Sequence, residues 1–191
     1  DLNLFNAVAK EAIDPLRQTI HTLDSFYISE VDDQNMNKAH ALLEKKEHMA
    51  DELLAICHKL LLLMNEKILP NAPTPETRAY SYKIIGDLNR YIIDSSVQNE
   101  TEKAKKDAGA AYENSLHIYD TEVGYFSPIK LHAILNYAVF LFEHLQEKEI
   151  AIDLLQNALK NGEEGIQELA NDHEKYDQAI NSLSVMKTNL I

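Results

Sequence analysis

The sequence predicts an all-α fold, an antiparallel bundle of about seven helices joined by short connections and presenting a concave surface. Three observations predict it. Glycine and proline number only five each in 191 residues, and tryptophan is absent. Alanine, leucine, isoleucine, glutamate and lysine dominate, a composition that favours helix over sheet. Apolar residues recur at helical spacing almost throughout, and no β-type alternation runs longer than three or four residues.

The first helix is expected over about Asn3 to Phe26, with Leu4, Val8 and Ala12 and then Leu16, Ile20 and Leu23 as its apolar positions. Pro15 lies inside it. Asp14-Pro15 therefore reads as a kink or as a fresh start with Asp14 as cap, because proline in a helix interior removes a hydrogen bond and crowds the preceding turn. After the polar stretch 29–34, a long second helix is expected over Met36 to Ile68, carrying Leu42, Leu43, Met49, Leu53, Ile56, Leu60 and Leu63, and Pro70 and Pro73 stop it. Thr74-Pro75-Glu76 starts the third, a threonine cap with proline in the first turn, and this helix runs to about Asp94. Residues 95–105 read as loop or frayed helix start, and a fourth helix covers Ala104 to Tyr119. Ser127-Pro128 opens the fifth, to about Leu145, apolar nearly all round and hence central. A sixth covers Lys148 to Asn161, with Gly162 and Gly165 as punctuation, and the last runs from about Glu174 to Leu190. Loose similarity between 110–116 and 151–159 gives the bundle the local look of a helix-hairpin array, in which stacked helices build a concave surface.

The formal charge is −13 and the pI near 5.0. Such a field repels nucleic-acid backbone and anionic lipid, so no nucleic acid and no membrane is expected among the partners, whereas a basic segment carrying one anionic group suits it. The most apolar run, Leu60 to Met64, is far shorter than the roughly 18 residues of a membrane span. The single cysteine, Cys57, sits in an apolar run and reads as a core residue of a protein from a reducing compartment, cytoplasmic or nuclear. Eight histidines form no metal-ligand pattern. Nucleophile elbows, catalytic Cys–His logic and glycine-rich phosphate loops are absent. The chain is expected to be no enzyme and to use no metal or cofactor.

The most informative segment is Gly86-Asp87-Leu88-Asn89-Arg90-Tyr91-Ile92. Lys83, Asp87 and Arg90 fall at i, i+4 and i+7 and share one helix face, while Tyr80, Ile84, Leu88 and Ile92 line another. Arginine offers a planar fork of donors matched to phosphate oxygens, and a carboxylate one turn away can fix its aim. A second basic pair, Lys10 and Arg17, is seven residues apart, on one face at a rise of about 10 Å.

Several of these segments, in this order, resemble the 14-3-3 family of phosphopeptide-binding adaptors. The resemblance begins with Asn3-Leu4-Phe5-Asn6-Ala7-Val8-Ala9-Lys10 and continues to Arg17. It resumes through Ile68-Leu69-Pro70-Asn71-Ala72. It is strongest in Tyr82-Lys83-Ile84-Ile85-Gly86-Asp87-Leu88-Asn89-Arg90-Tyr91, which is similar to the family's K-x-x-G-D-x-x-R-Y. It recurs in Ser127-Pro128-Ile129-Lys130-Leu131 and Leu135-Asn136-Tyr137-Ala138-Val139-Phe140, and closes at Val185-Met186-Lys187-Thr188-Asn189-Leu190. The resemblance implies a single 14-3-3-like domain over residues 1–191 that matches the last seven of the family's nine helices, the N-terminal dimerisation helices having no counterpart here.

It also implies an adaptor that binds phosphoserine or phosphothreonine segments of client proteins in signalling. Lys10, Arg17 and Arg90 would hold the phosphate, with the Tyr91 hydroxyl donating. Asn136 and Asn189 would hydrogen-bond the ligand backbone, Lys83 would line the floor, and Leu135, Val139 and Val185 would form the apolar wall. With upstream helices the resemblance implies a homodimer or heterodimer, and without them a monomer or weak dimer. Asp14 stands where the family usually has glycine, one turn from both Lys10 and Arg17, and is expected to compete for them. His21, His132 and Ser182 are further departures that imply altered selectivity. The alternative is a helical scaffold, tetratricopeptide-like or a phosphate-independent relative of the family, binding unmodified segments.

Overall fold

The computed structural model describes residues 2–95, 101–123 and 126–190. It contains seven α-helices: α1 Leu2–Asp32, α2 Met36–Leu63, α3 Pro75–Ser95, α4 Thr101–Ile118, α5 Pro128–Phe140, α6 Lys148–Gly165 and α7 His173–Asn189. There is no strand among the described residues. Three helices end in a wider π-helical turn, at Met64–Ile68, Tyr119–Val123 and Leu141–Leu145.

Pro15 neither kinks α1 into two elements nor restarts it; the helix runs through. Glu11 and Pro15 both lie on the exposed side, so the carbonyl that loses its donor faces water, which satisfies it at little cost. The apolar stripe of α1 follows expectation at Ile20 and Leu23 and departs from it nearer the N-terminus, where Ala9 and Ile13 are buried and Leu4 and Val8 are 64% and 56% exposed. The covered face is the one that α2 and α3 reach.

Caps follow the sequence at one end and depart from it at another. The Thr74 hydroxyl accepts the Thr77 N–H at 3.1 Å and caps α3. Ser127 opens α5 with its carbonyl, but its hydroxyl turns away to Glu76 at 3.3 Å, tying the start of α5 to the start of α3. Asp172 caps α7 through the Lys175 N–H. Gly162 does not end α6. It lies within the helix, and a Cβ there would come within 2.5 Å of Leu183 Cδ2, so its hydrogen is what lets α7 pack closely on α6.

Two large apolar cores organise the bundle, beside a small third one around Ala79, Ile118 and Tyr119. The first joins α1 to α4 around Ile13, Leu53, Cys57, Leu88 and Tyr112 and takes in Phe140 from α5. The second joins α5 to α7 around Leu131, Ile134, Leu155, Leu183 and Met186. α5 contributes to both, as its all-round apolar surface predicts, and is the hinge-pin between the halves. Cys57 is wholly buried, and burial pushes its thiol up to about 12, only slightly opposed by Arg17, so it packs as a neutral apolar group.

Gly86 sets the spacing between α3 and α4. A Cβ at this position would meet the Tyr112 ring at 2.7–2.9 Å, and Tyr112 is fully buried between α3 and the rings of Tyr137 and Phe140. Gly86→Ala is expected to push that ring outward and to lower unfolding free energy by about 1–3 kcal/mol, as overpacking does. Urea titration checks the stability. Retention of wild-type stability would mean that the ring moves without cost.

Candidate functional site

The site is built on the face of α3 that turns toward α1 and α5. Asp87 is at its centre, 4% exposed. Its Oδ2 accepts from Lys83 Nζ at 2.5 Å, one helical turn back on α3. Its Oδ1 accepts from the Tyr112 hydroxyl of α4 and from Asn136 Nδ2 of α5, each at 2.7 Å. Both carboxylate oxygens are thus met by donors from three helices. Burial alone would raise this carboxyl. The charges of Lys83 and Arg90, with the hydrogen bonds from Lys83 and Tyr112, outweigh it and hold Asp87 below the ordinary value of 3.8.

Arg90 lies one turn beyond Asp87, with its guanidinium carbon 5.1 Å from the centre of the Tyr91 ring. Arg17 reaches the same ring from α1, at 4.2 Å. Two guanidiniums from helices 73 positions apart in sequence therefore share one aromatic side chain. Arg90 is kept charged: burial works against the charge, but Tyr112, Asp87 and Tyr91 more than compensate. Burial, assisted by Asp87 and opposed by both arginines, pushes the Tyr91 hydroxyl up to about 12, so it stays a donor at neutral pH. The Nε groups of Arg17 and Arg90 are both buried without a hydrogen-bond partner among the described residues.

Lys10 is exposed on α1. The charges of Lys83 and Lys10 both act on His132 of α5. Lys83 is 4% exposed and committed to Asp87. Among the described residues Asp14 forms no ion pair with Lys10 or Arg17, but its charge acts on the Tyr91 hydroxyl, so it does bear on the cluster. The carboxylate that takes Arg17 is Asp94 of α3, at 3.4 Å, and its other oxygen lies 3.2 Å from His144 Nε2.

Of the remaining candidates, Leu135, Asn136 and Val139 sit half-buried on α5, while Val185 and Asn189 are exposed on α7. Val139 and Asn189 border one cavity of about 520 Å³, closed by Phe142, Ile152 and Leu155. Three functional neighbours escaped the sequence reading. Asp94 carried a signal, since it is at i+4 from Arg90. Tyr112 and His144 carried none, because only the packing of α4 and α5 on α3 brings them there.

A family model described as 14-3-3 protein matches residues 1–191. The chain is similar to 14-3-3-like protein D of Nicotiana tabacum, 29% identical over 191 residues, covering 98% of this chain and 75% of that one. It is similar to 14-3-3 protein beta/alpha of Bos taurus, 27% identical over 189 residues, with 98% and 75% covered. It is also similar to 14-3-3 protein I of Plasmodium falciparum, 26% identical over 189 residues, with 98% and 71% covered.

Asp87→Asn is expected to cost about 3–5 kcal/mol, because it leaves the Lys83 ammonium buried without its anion. The sign with pH follows from the depressed carboxyl. Its contribution is complete above 3.8 and is lost as pH falls below that value toward the folded-state one. Wild-type stability should therefore drop on acidification below about pH 4 more steeply than that of the Asn variant, a difference that urea melts at stepped pH will show.

Proposed function

The chain belongs to the 14-3-3 family, and on that premise we propose that this adaptor binds client segments carrying phosphoserine or phosphothreonine, the phosphate held by Lys10, Arg17 and Arg90 with the Tyr91 hydroxyl as a further donor. The observation that supports the reading is the pair of guanidiniums at the Tyr91 ring, each with a buried Nε–H that has no acceptor among the described residues. Arg17 is met only by the partly exposed Asp94 carboxylate, and a phosphate dianion, with three acceptor oxygens, can compete for it and reach both forks.

In the same reading the ligand backbone lies along α5 and α7. Asn136 and Asn189 hydrogen-bond it, and Leu135, Val139 and Val185 take its side chains. Lys83 acts from below, by holding Asp87 and through it the Asn136 amide. The wider field assists: a chain of net charge −13 draws in basic flanks while a small cationic spot takes the anion. The cytosol or the nucleus is the compartment that goes with this role.

The test is fluorescence polarisation with a phosphoserine peptide carrying arginine two to four residues earlier, beside its unphosphorylated twin. Micromolar or tighter binding to the first and none to the second is expected. Arg90→Ala should weaken the phosphopeptide by at least about thirty-fold, the loss typical of removing one partner from a desolvated charge pair. Equal affinity for the two peptides would instead favour a scaffold for unmodified segments, a reading to which the Asp94 carboxylate on Arg17 lends its weight.

A further inference from the structure

Asp94 occupies a place between two claims. One oxygen lies 3.4 Å from Arg17 Nη2 and the other 3.2 Å from His144 Nε2. Arg17 and Asp94 each keep 24% of their side-chain surface exposed, so the ion pair between them is of the loose, solvent-reached kind that an incoming anion can displace. His144 is more enclosed, 14% exposed, with its ring 5.9 Å from that of Phe140. Around this trio, in which Arg17 comes from α1, stand Arg90, whose charge acts on Asp94 from α3, and Glu143, 4.0 Å from His144 Nε2 on the histidine's own element.

Building on the phosphate-binding reading, we infer that His144 is a positioning residue which, through Asp94, sets how freely Arg17 can turn to a phosphate. With His144 neutral, Asp94 is the internal counter-ion of Arg17 and must be displaced before the guanidinium engages a ligand. With His144 protonated, the imidazolium takes over the carboxylate, and Arg17 is released at lower cost. The direction follows from linkage. A bound dianion next to this cluster favours the protonated histidine, so a proton and the ligand help each other to bind. Burial works to raise the Asp94 carboxyl, but His144, Arg90 and Arg17 together hold it below the ordinary value, so Asp94 stays the anion that both claimants need.

The experiment measures affinity for one phosphoserine peptide at steps from pH 8 to pH 6, for wild type, His144→Gln and Asp94→Asn. The peptide's own ionisation cancels in the ratio of wild-type to variant affinity at each pH. That ratio for His144→Gln is expected to rise about five-fold in favour of wild type on acidification, the lower edge of coupling between linked sites. Asp94→Asn is expected to bind more tightly than wild type at pH 8 and to lose the histidine-dependent pH effect. Ratios that stay flat, with tight binding retained, overturn the role of His144 and leave the phosphate site standing. Absence of phosphopeptide binding by wild type at every pH overturns the site and this inference together. Circular dichroism of each variant establishes that it is folded.

Discussion

A carboxylate removed from water must be met on both oxygens, and the site is organised around how Asp87 meets that demand. Its donors come from α3, α4 and α5, and one of them is an ammonium. An unpaired charge at this depth would cost several kcal/mol, so the three helices can pack only in the register that delivers Lys83, Tyr112 and Asn136 to one spot. Gly86 makes that register available by leaving room for the Tyr112 ring against the α3 backbone. The interaction thus links a sequence detail, a missing Cβ, to the placement of the α5 face on which Asn136, Leu135 and Val139 stand.

Around this anchor the charges are divided by task. Asp87 is satisfied internally by Lys83, Tyr112 and Asn136 and acts on Arg90 through its charge. Asp94 is only loosely engaged and exposed to competition. The arginines differ accordingly. Arg90 answers to Tyr112 of α4 as well as to Asp87 and Tyr91 on its own helix, whereas Arg17 is brought in from α1 and balanced against a surface carboxylate. Tyr91 gives both a common platform, with Arg17 4.2 Å and Arg90 5.1 Å from its ring centre. A local cluster of cations is compatible with an acidic protein because its field is short-ranged.

The helical class, the seven helices and most of their ends were legible in the sequence, because composition, period and proline placement act locally. Positions 74–75 fixed the start of α3, and the uniform apolarity of 129–142 identified α5 as central. The same local logic placed Arg90, Tyr91 and Asp87 on one turn of helix. Where the reading missed, the reason is equally physical. Pro15 left α1 intact because its orphaned carbonyl faces water, and Gly162 stayed inside α6 because it serves a contact with Leu183, not a chain reversal. Which stripe of α1 is buried depended on what packs against it, so Leu4 and Val8 ended exposed.

The sequence by itself determined the building units and the chemistry that each could offer: amphipathic helices, an arginine–tyrosine pair and a distant basic pair on α1. Tertiary structure alone decided which groups meet. It brought Arg17 to the ring beside Arg90, gave Asp87 to Lys83, Tyr112 and Asn136, and set Asp94, in place of the nearer Asp14, against Arg17 with His144 on its other side. Hydrophobic period and capping operate within a few residues along the chain and can be read from it. Ion pairs and hydrogen bonds between helices depend on ångström-scale packing of surfaces far apart in sequence, and no local pattern records them.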